Sequence, residues 1–228
     1  MSANDRTAEQ DASLELPEPS SEEADVEVER EQDAPEPAEL DAETRERRDA
    51  ALRHVRKLGD PVLRATALPV ERFDQELQAE VERMGELMHD ALGVGLAATQ
   101  LGVLHRVLVY KAFLDDPVTA LVNPEIEWLS EELELGDEGC LSLPGVHVEV
   151  ERHAQLRVRA RDERGDPVEV EAEGLEARVI QHEIDHLDGV LILDRISREA
   201  RKEAMRAMRE AAEGHAEAAA EDSPADAA

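Results

Sequence analysis

The chain is nearly without cysteine and aromatic side chains. Cys140 is the single cysteine among 228 residues, so no internal disulfide can form, which fits a reducing compartment. Aromatics amount to 2%, with one Trp, one Tyr and two Phe, so a core must be aliphatic, built from Leu, Val, Ile and Ala. Lysine is scarce as well: of 25 basic residues only Lys57, Lys111 and Lys202 are lysines. No apolar run approaches the roughly 20 residues that cross a bilayer. The opening MSANDRTAEQDASLELPEPS lacks the basic start and apolar run of a secretory signal. A soluble, cytoplasmic protein without membrane association is therefore expected. Positive charge is also short, with a formal net charge of −31. Such a surface repels phosphates, which excludes a broad nucleic-acid-binding face.

What is present changes along the chain. Residues 1–50 hold 18 acidic against 5 basic residues, interleaved with Pro, Ala and Ser. That composition cannot bury enough surface to offset its ordering entropy. Residues 1–48 are expected to form a disordered acidic extension and 214–228 a disordered tail, with the folded domain at 49–213. Leu77, Val81, Met84, Leu87, Met88 and Ala91 recur at helical spacing within 73–92. Helical patterns also cover 176–187 and 197–213. Between them lie the β-like runs RVLVYKAF, TALVNPEIEWL, GVHVEVER, AQLRVRARDERG and PVEVEAEG. The last two alternate apolar and charged residues across a Gly-Asp turn, as a hairpin with one wet face does. Strands in a block between helices favour an α+β fold over a doubly wound sheet. Trp128, the only tryptophan, is expected in the core.

Chemistry concentrates in QHEIDHLDG. His182 and His186, at i and i+4, share one helical face, so both imidazoles can reach one metal ion. Glu183 lies about 100° round the helix from His182, placed to act as a base without being a ligand. A catalytic metal site normally has three protein ligands and one open position. The protease pattern H-E-x-x-H-x-x-G-x-x-H is followed as far as Gly189, but Ile192 stands where its third histidine belongs. Glu199, Glu203 and Glu210 are formally available, in a highly charged helix. The other candidate is Cys140, 42 residues before His182, and a Cys-His-His set suits a divalent transition metal. The remaining histidines, 54, 89, 105, 147, 153 and 215, lack ligand spacing.

Three stretches, GVGLAATQ, EGCLSLPG and QHEIDHLDG, resemble in order the signature motifs of bacterial peptide deformylases, and GDPVLR at 59–64 is similar to that family's opening segment. The resemblance covers about residues 52 to 210. It implies a small α+β fold with antiparallel sheets around a central metal-binding helix, plus N-terminal and C-terminal helices. It implies hydrolysis of the N-formyl group from the initiator methionine of nascent polypeptides, releasing formate. The alternative is a metalloendopeptidase of another H-E-x-x-H class.

Carried over residue by residue, the resemblance makes Cys140, His182 and His186 the metal ligands. The metal it implies is Fe(2+), with Zn, Ni or Co able to replace it. Glu183 becomes the general base, with the Gln100 side chain and the Leu141 backbone N–H as oxyanion donors. Gly93 and Gly95 let backbone pass close to an extended peptide. Val94, Leu175 and Val179 are walls for the methionine side chain, and Arg152 lies near the peptide substrate. Glu138 and Asp185 are candidates for orienting the ligands. The C-terminal helix holds five basic against three acidic residues over 198–210; in some relatives the matching helix docks on the ribosome.

Overall fold

The computed structural model describes residues 40–113 and 116–221. The disorder expected for 1–39 and 222–228 lies outside the described residues. Helix α1, Ala42–Leu52, starts at Asp41, whose carboxylate accepts from the Thr44 backbone N–H at 3.0 Å. Residues 42–48, assigned above to the unstructured extension, are thus helical, packed against α2. Their charges hid the helix, because Ala51 is the only residue α1 buries.

Helix α2, Gln75–Asp90, is capped by Asp74, whose carboxylate accepts from the N–H groups of Glu76 and Leu77. Its stripe of Leu77, Val81, Met84 and Met88 packs on Leu96, Val107, Val109 and Val122 of the sheet. Each such fully buried side chain contributes about 1.5–3 kcal/mol. The sheet is antiparallel, with order β1-β2-β3-β6-β7: Gly95–Ala97, Val107–Tyr110, Thr119–Leu129, Gln155–Arg161 and Pro167–Glu173. The expected β6–β7 hairpin forms: Leu156, Val158 and Ala160 point inward, while Arg157 and Arg159 pair outside with Glu171 and Glu125. Strands β4 (Leu133–Cys140) and β5 (Leu143–His153) make a separate antiparallel hairpin.

Helix α3, Gly174–Leu187, runs between these two layers and is buried on nearly all sides, which marks a central helix. Gly189 closes it at φ +74°, where a Cβ would meet the Arg64 carbonyl oxygen at 2.7 Å, so only glycine fits this left-handed, crowded position. Helix α4, Arg198–Glu221, packs on β5, and Ile192 sits with Leu63, Leu143, Val150 and Ala204 in the cluster beneath it. The helix runs past 213, so residues 214–221 are not the loose tail expected; their Ala- and Glu-rich composition has high helix propensity. Trp128 is not in the core: it is 47% exposed. It lies beyond the end of the short strand β2, on a stretch of β3 that has β6 alone as neighbour. None of the described helices is long and apolar enough to cross a membrane.

Candidate metal centre

Two elements deliver the ligand atoms. Cys140 ends β4, and His182 and His186 project from α3 one turn apart, their ring centroids 4.9 Å from each other. The ligand atoms of the three residues all lie within 4.8 Å of one another, and Cys140 Sγ is 3.3 Å from His186 Nε2. His182 Nδ1 donates to Glu138 Oε2 at 3.0 Å, which leaves Nε2 facing the cluster. One thiol and two imidazole nitrogens that close, with a buried carboxylate beside them, fit a divalent transition metal.

That carboxylate is Glu183. It is 4% exposed and its Oε2 has no hydrogen-bond partner among the described residues. Burial pushes its pKa up to about 7, against the opposing charge of His182. A group so poised can both take and return a proton near neutral pH. Gly95 explains how it fits: a Cβ there would overlap the Glu183 carboxylate. Gly95 is itself buried, and its missing side chain makes room for the Glu183 carboxylate.

Gln100 is held from both ends of its amide. Its Oε1 accepts from the Ala97 N–H at 2.9 Å, which turns Nε2 toward Ser142 Oγ at 3.2 Å and Cys140 Sγ at 3.8 Å. Leu141 follows Cys140 directly, and its side chain packs on Gly93 at 3.1 Å from where a Cβ would be. The glycine-rich segment, the cysteine loop and the histidine helix therefore meet at one place.

Behind the histidines lies a buried ion network. Glu138 receives two bonds from Arg152, at 2.8 and 2.9 Å, and one from Arg178 at 3.0 Å. Arg152 Nη1 donates to Asp185 at 2.6 Å, and Asp185 also pairs with Arg195. Burial alone would raise the Glu138 pKa, but the bonds from Arg152 and His182 outweigh it and bring it down to about 2. Burial likewise favours neutral His182, and its bonds to Cys140 and Glu138 overcome this and raise its pKa. His186, buried and next to a charged His182, is pushed down.

This geometry removes Arg152 from the substrate side. The side chain is 4% exposed and all three guanidinium nitrogens are spent on Glu138 and Asp185. Val179 is in the core cluster with Tyr110, Leu175 packs against that cluster, and Val94 is 45% exposed beside β1. Glu138 bonds His182 directly, whereas Asp185 on the same helix pairs with Arg152 and Arg195. Sequence reasoning passed over Arg178, although it lies four residues before His182 and so shares its face. It also passed over Ser142, inside the EGCLS stretch, and Thr99, whose hydroxyl donates to the His186 carbonyl at 3.1 Å.

The chain is similar to known proteins over most of its folded part. The polypeptide deformylase family model matches residues 52–202. A peptide deformylase of Acidothermus cellulolyticus is 52% identical over 161 residues, covering 71% of this chain and 88% of that protein. The crystal structure of a Synechococcus elongatus peptide deformylase in complex with actinonin superposes with a TM-score of 0.65 at 44% identity, covering 67% of this chain and 85% of that one. The Thermotoga maritima peptide deformylase structure gives a TM-score of 0.61 at 49% identity, covering 63% and 96%. The chain belongs to the polypeptide deformylase family, metal-dependent hydrolases that remove the N-formyl group from nascent polypeptides.

Proposed function

We propose that Cys140 Sγ, His182 Nε2 and His186 Nε2 hold the metal and that Glu183 carries the proton of the reaction. The observation that supports this most is the unpartnered, buried Oε2 of Glu183 beside the Cys-His-His cluster. When bound, a divalent metal supplies Lewis acidity, enough to bring the pKa of a water from 15.7 to about 7. Fe(2+) is the metal the family resemblance indicates, with Zn, Ni or Co as substitutes. Glu183 accepts a proton from the attacking water as its oxygen bonds to the formyl carbon. The Gln100 amide and the Leu141 N–H donate to the oxyanion that develops on the formyl oxygen. The C–N bond then breaks, Glu183 passes its proton to the departing amine, and formate is released.

The peptide lies along β1. Among the described residues this strand has β2 on one side and no strand on the other, which leaves that edge as the place for strand-like pairing; its own side chains are buried and Val94, just before it, is exposed. The reaction takes place in the cytoplasm. The exposed Arg201, Lys202, Arg206 and Arg209 of α4 form the face that meets the ribosome. Reversing these four charges weakens co-sedimentation with ribosomes; unchanged co-sedimentation removes that partner.

Glu183→Gln tests the mechanism. It retains the metal and lowers formate release from formyl-Met-Ala by about 10²–10⁴-fold, the usual worth of a general acid–base group. Cleavage of internal peptide bonds by the wild type would instead favour a metalloendopeptidase.

A further inference from the structure

Residues 56–58, between α1 and the turn at Pro61–Arg64, make a set of bonds that the chemistry above leaves unexplained. The Arg56 N–H donates to the Gln100 carbonyl at 2.7 Å and the Leu58 N–H to the Ser142 carbonyl at 3.0 Å. Between them the Lys57 ammonium donates to the Leu141 carbonyl at 2.9 Å. The three acceptors are the backbones of both proposed oxyanion donors and of Ser142, the residue whose hydroxyl receives the Gln100 amide. Three consecutive residues thus clamp two segments that lie about 40 positions apart in the chain.

Two of these bonds are main-chain bonds, and Lys57 supplies the only side chain. It is half-buried. Among the described residues it pairs with no carboxylate, although the chain holds 56 acidic residues. Its ammonium donates to a neutral carbonyl, a charge-assisted bond about twice as strong as a neutral one, and its charge also acts on Cys140. The need for an external anchor is visible in the strand register. The β4–β5 pairing shifts between Gly139 and Cys140, so the ladder loses its regular spacing just where Leu141 begins.

We infer that Lys57 is a positioning residue, which through the Leu141 carbonyl holds residue 141 so that its N–H meets the oxyanion. The inference rests on the proposed oxyanion role of Leu141 and Gln100. Arg64, Arg106 and Arg178, which also bond backbone carbonyls distant in the chain, each have a carboxylate partner as well, whereas Arg161 and Arg209 bond carbonyls only four positions away. Lys57 differs from the first three in having no carboxylate partner among the described residues; besides the carbonyl, the negative group it faces is Cys140.

The test uses full-length, metal-loaded protein in four forms: wild type, Lys57→Met, Lys57→Arg and Gln100→Ala. Formyl-Met-Ala hydrolysis gives kcat and KM, and NMR of the zinc-loaded forms gives amide exchange at residues 139–143. Lys57→Met lowers kcat about tenfold, the scale of one lost bond to a charged group, and changes KM less than about twofold. It speeds exchange at Leu141 and Ser142 while exchange in α3 stays as in the wild type. Lys57→Arg, which restores a donor, returns both kcat and exchange toward wild-type values. Should Lys57→Met not fold, Lys57→Gln is measured in the same way with the same expected result. An unchanged kcat, or a lowered kcat with unchanged exchange at 141–142, overturns the inference. Gln100→Ala separates the two levels. If it leaves kcat intact, the oxyanion reading itself fails; if it lowers kcat while the Lys57 variants do not, only the clamp fails.

Discussion

Toward the five-stranded sheet, α3 presents Ala177, Ile180, Ile184 and Leu187, packed among Leu108, Leu121, Leu156 and Val158. Toward the β4–β5 hairpin it presents Arg178, His182 and Asp185, tied to Glu138 and Arg152. Both faces are buried, yet they are held by opposite means. The first needs volume and apolarity, and many side chains of similar size satisfy it. The second needs each partner by name, because a buried charge that loses its partner is left uncompensated. The helix is anchored loosely in chemistry on one side and strictly on the other, and His182, a proposed ligand, stands on the strict side.

The comparison can be broken most forcefully at Arg152. Arg152→Met lowers unfolding free energy by about 3 kcal/mol, the lower end of what breaking a buried pair costs, since Arg178 and Arg195 still cover Glu138 and Asp185. On the other face Ile184→Val costs about 1 kcal/mol. Urea denaturation of both variants measures the difference, and equal losses would remove the distinction between the faces.

A smaller effect sharpens the same point through pH. Glu138 titrates at about 2 in the folded protein against an ordinary 4.5. The unfolded state therefore binds the proton first as pH falls. The stability Glu138 contributes is complete above about pH 4.5 and is lost as pH drops toward 2. Glu138→Gln is less stable at neutral pH and loses less of its remaining stability on acidification; parallel pH curves for variant and wild type would contradict this.

Much of this was legible in the sequence because regular patterns survive folding. The stripe from Leu77 to Met88, the β6–β7 alternation and the His182–His186 spacing each carry a period that only one local structure satisfies. Strand β4 carries none: LELGDEGC is mostly exposed and pairs with β5 alone, so no apolar alternation marks it. Strand β1 is too short to show a period. Helix α1 buries one alanine and reads as an acidic tail.

Arg152 is the instructive miss. Its parity along β5 is that of Val146, Val148 and Val150, whose side chains turn inward, so the pleat already placed it inside. The partners that make such burial possible, Glu138 and Asp185, come from another strand and another helix. No local pattern could have brought them together. The clamp of Arg56, Lys57 and Leu58 is hidden for the same reason, because it joins segments through backbone carbonyls, which carry no sequence signature.

X-ray absorption at the metal edge of the zinc-loaded protein tests the central claim most directly. One sulfur at about 2.3 Å and two imidazole nitrogens at about 2.0–2.1 Å are predicted, with the sulfur lost in Cys140→Ser. A wild-type spectrum without a sulfur scatterer would contradict it.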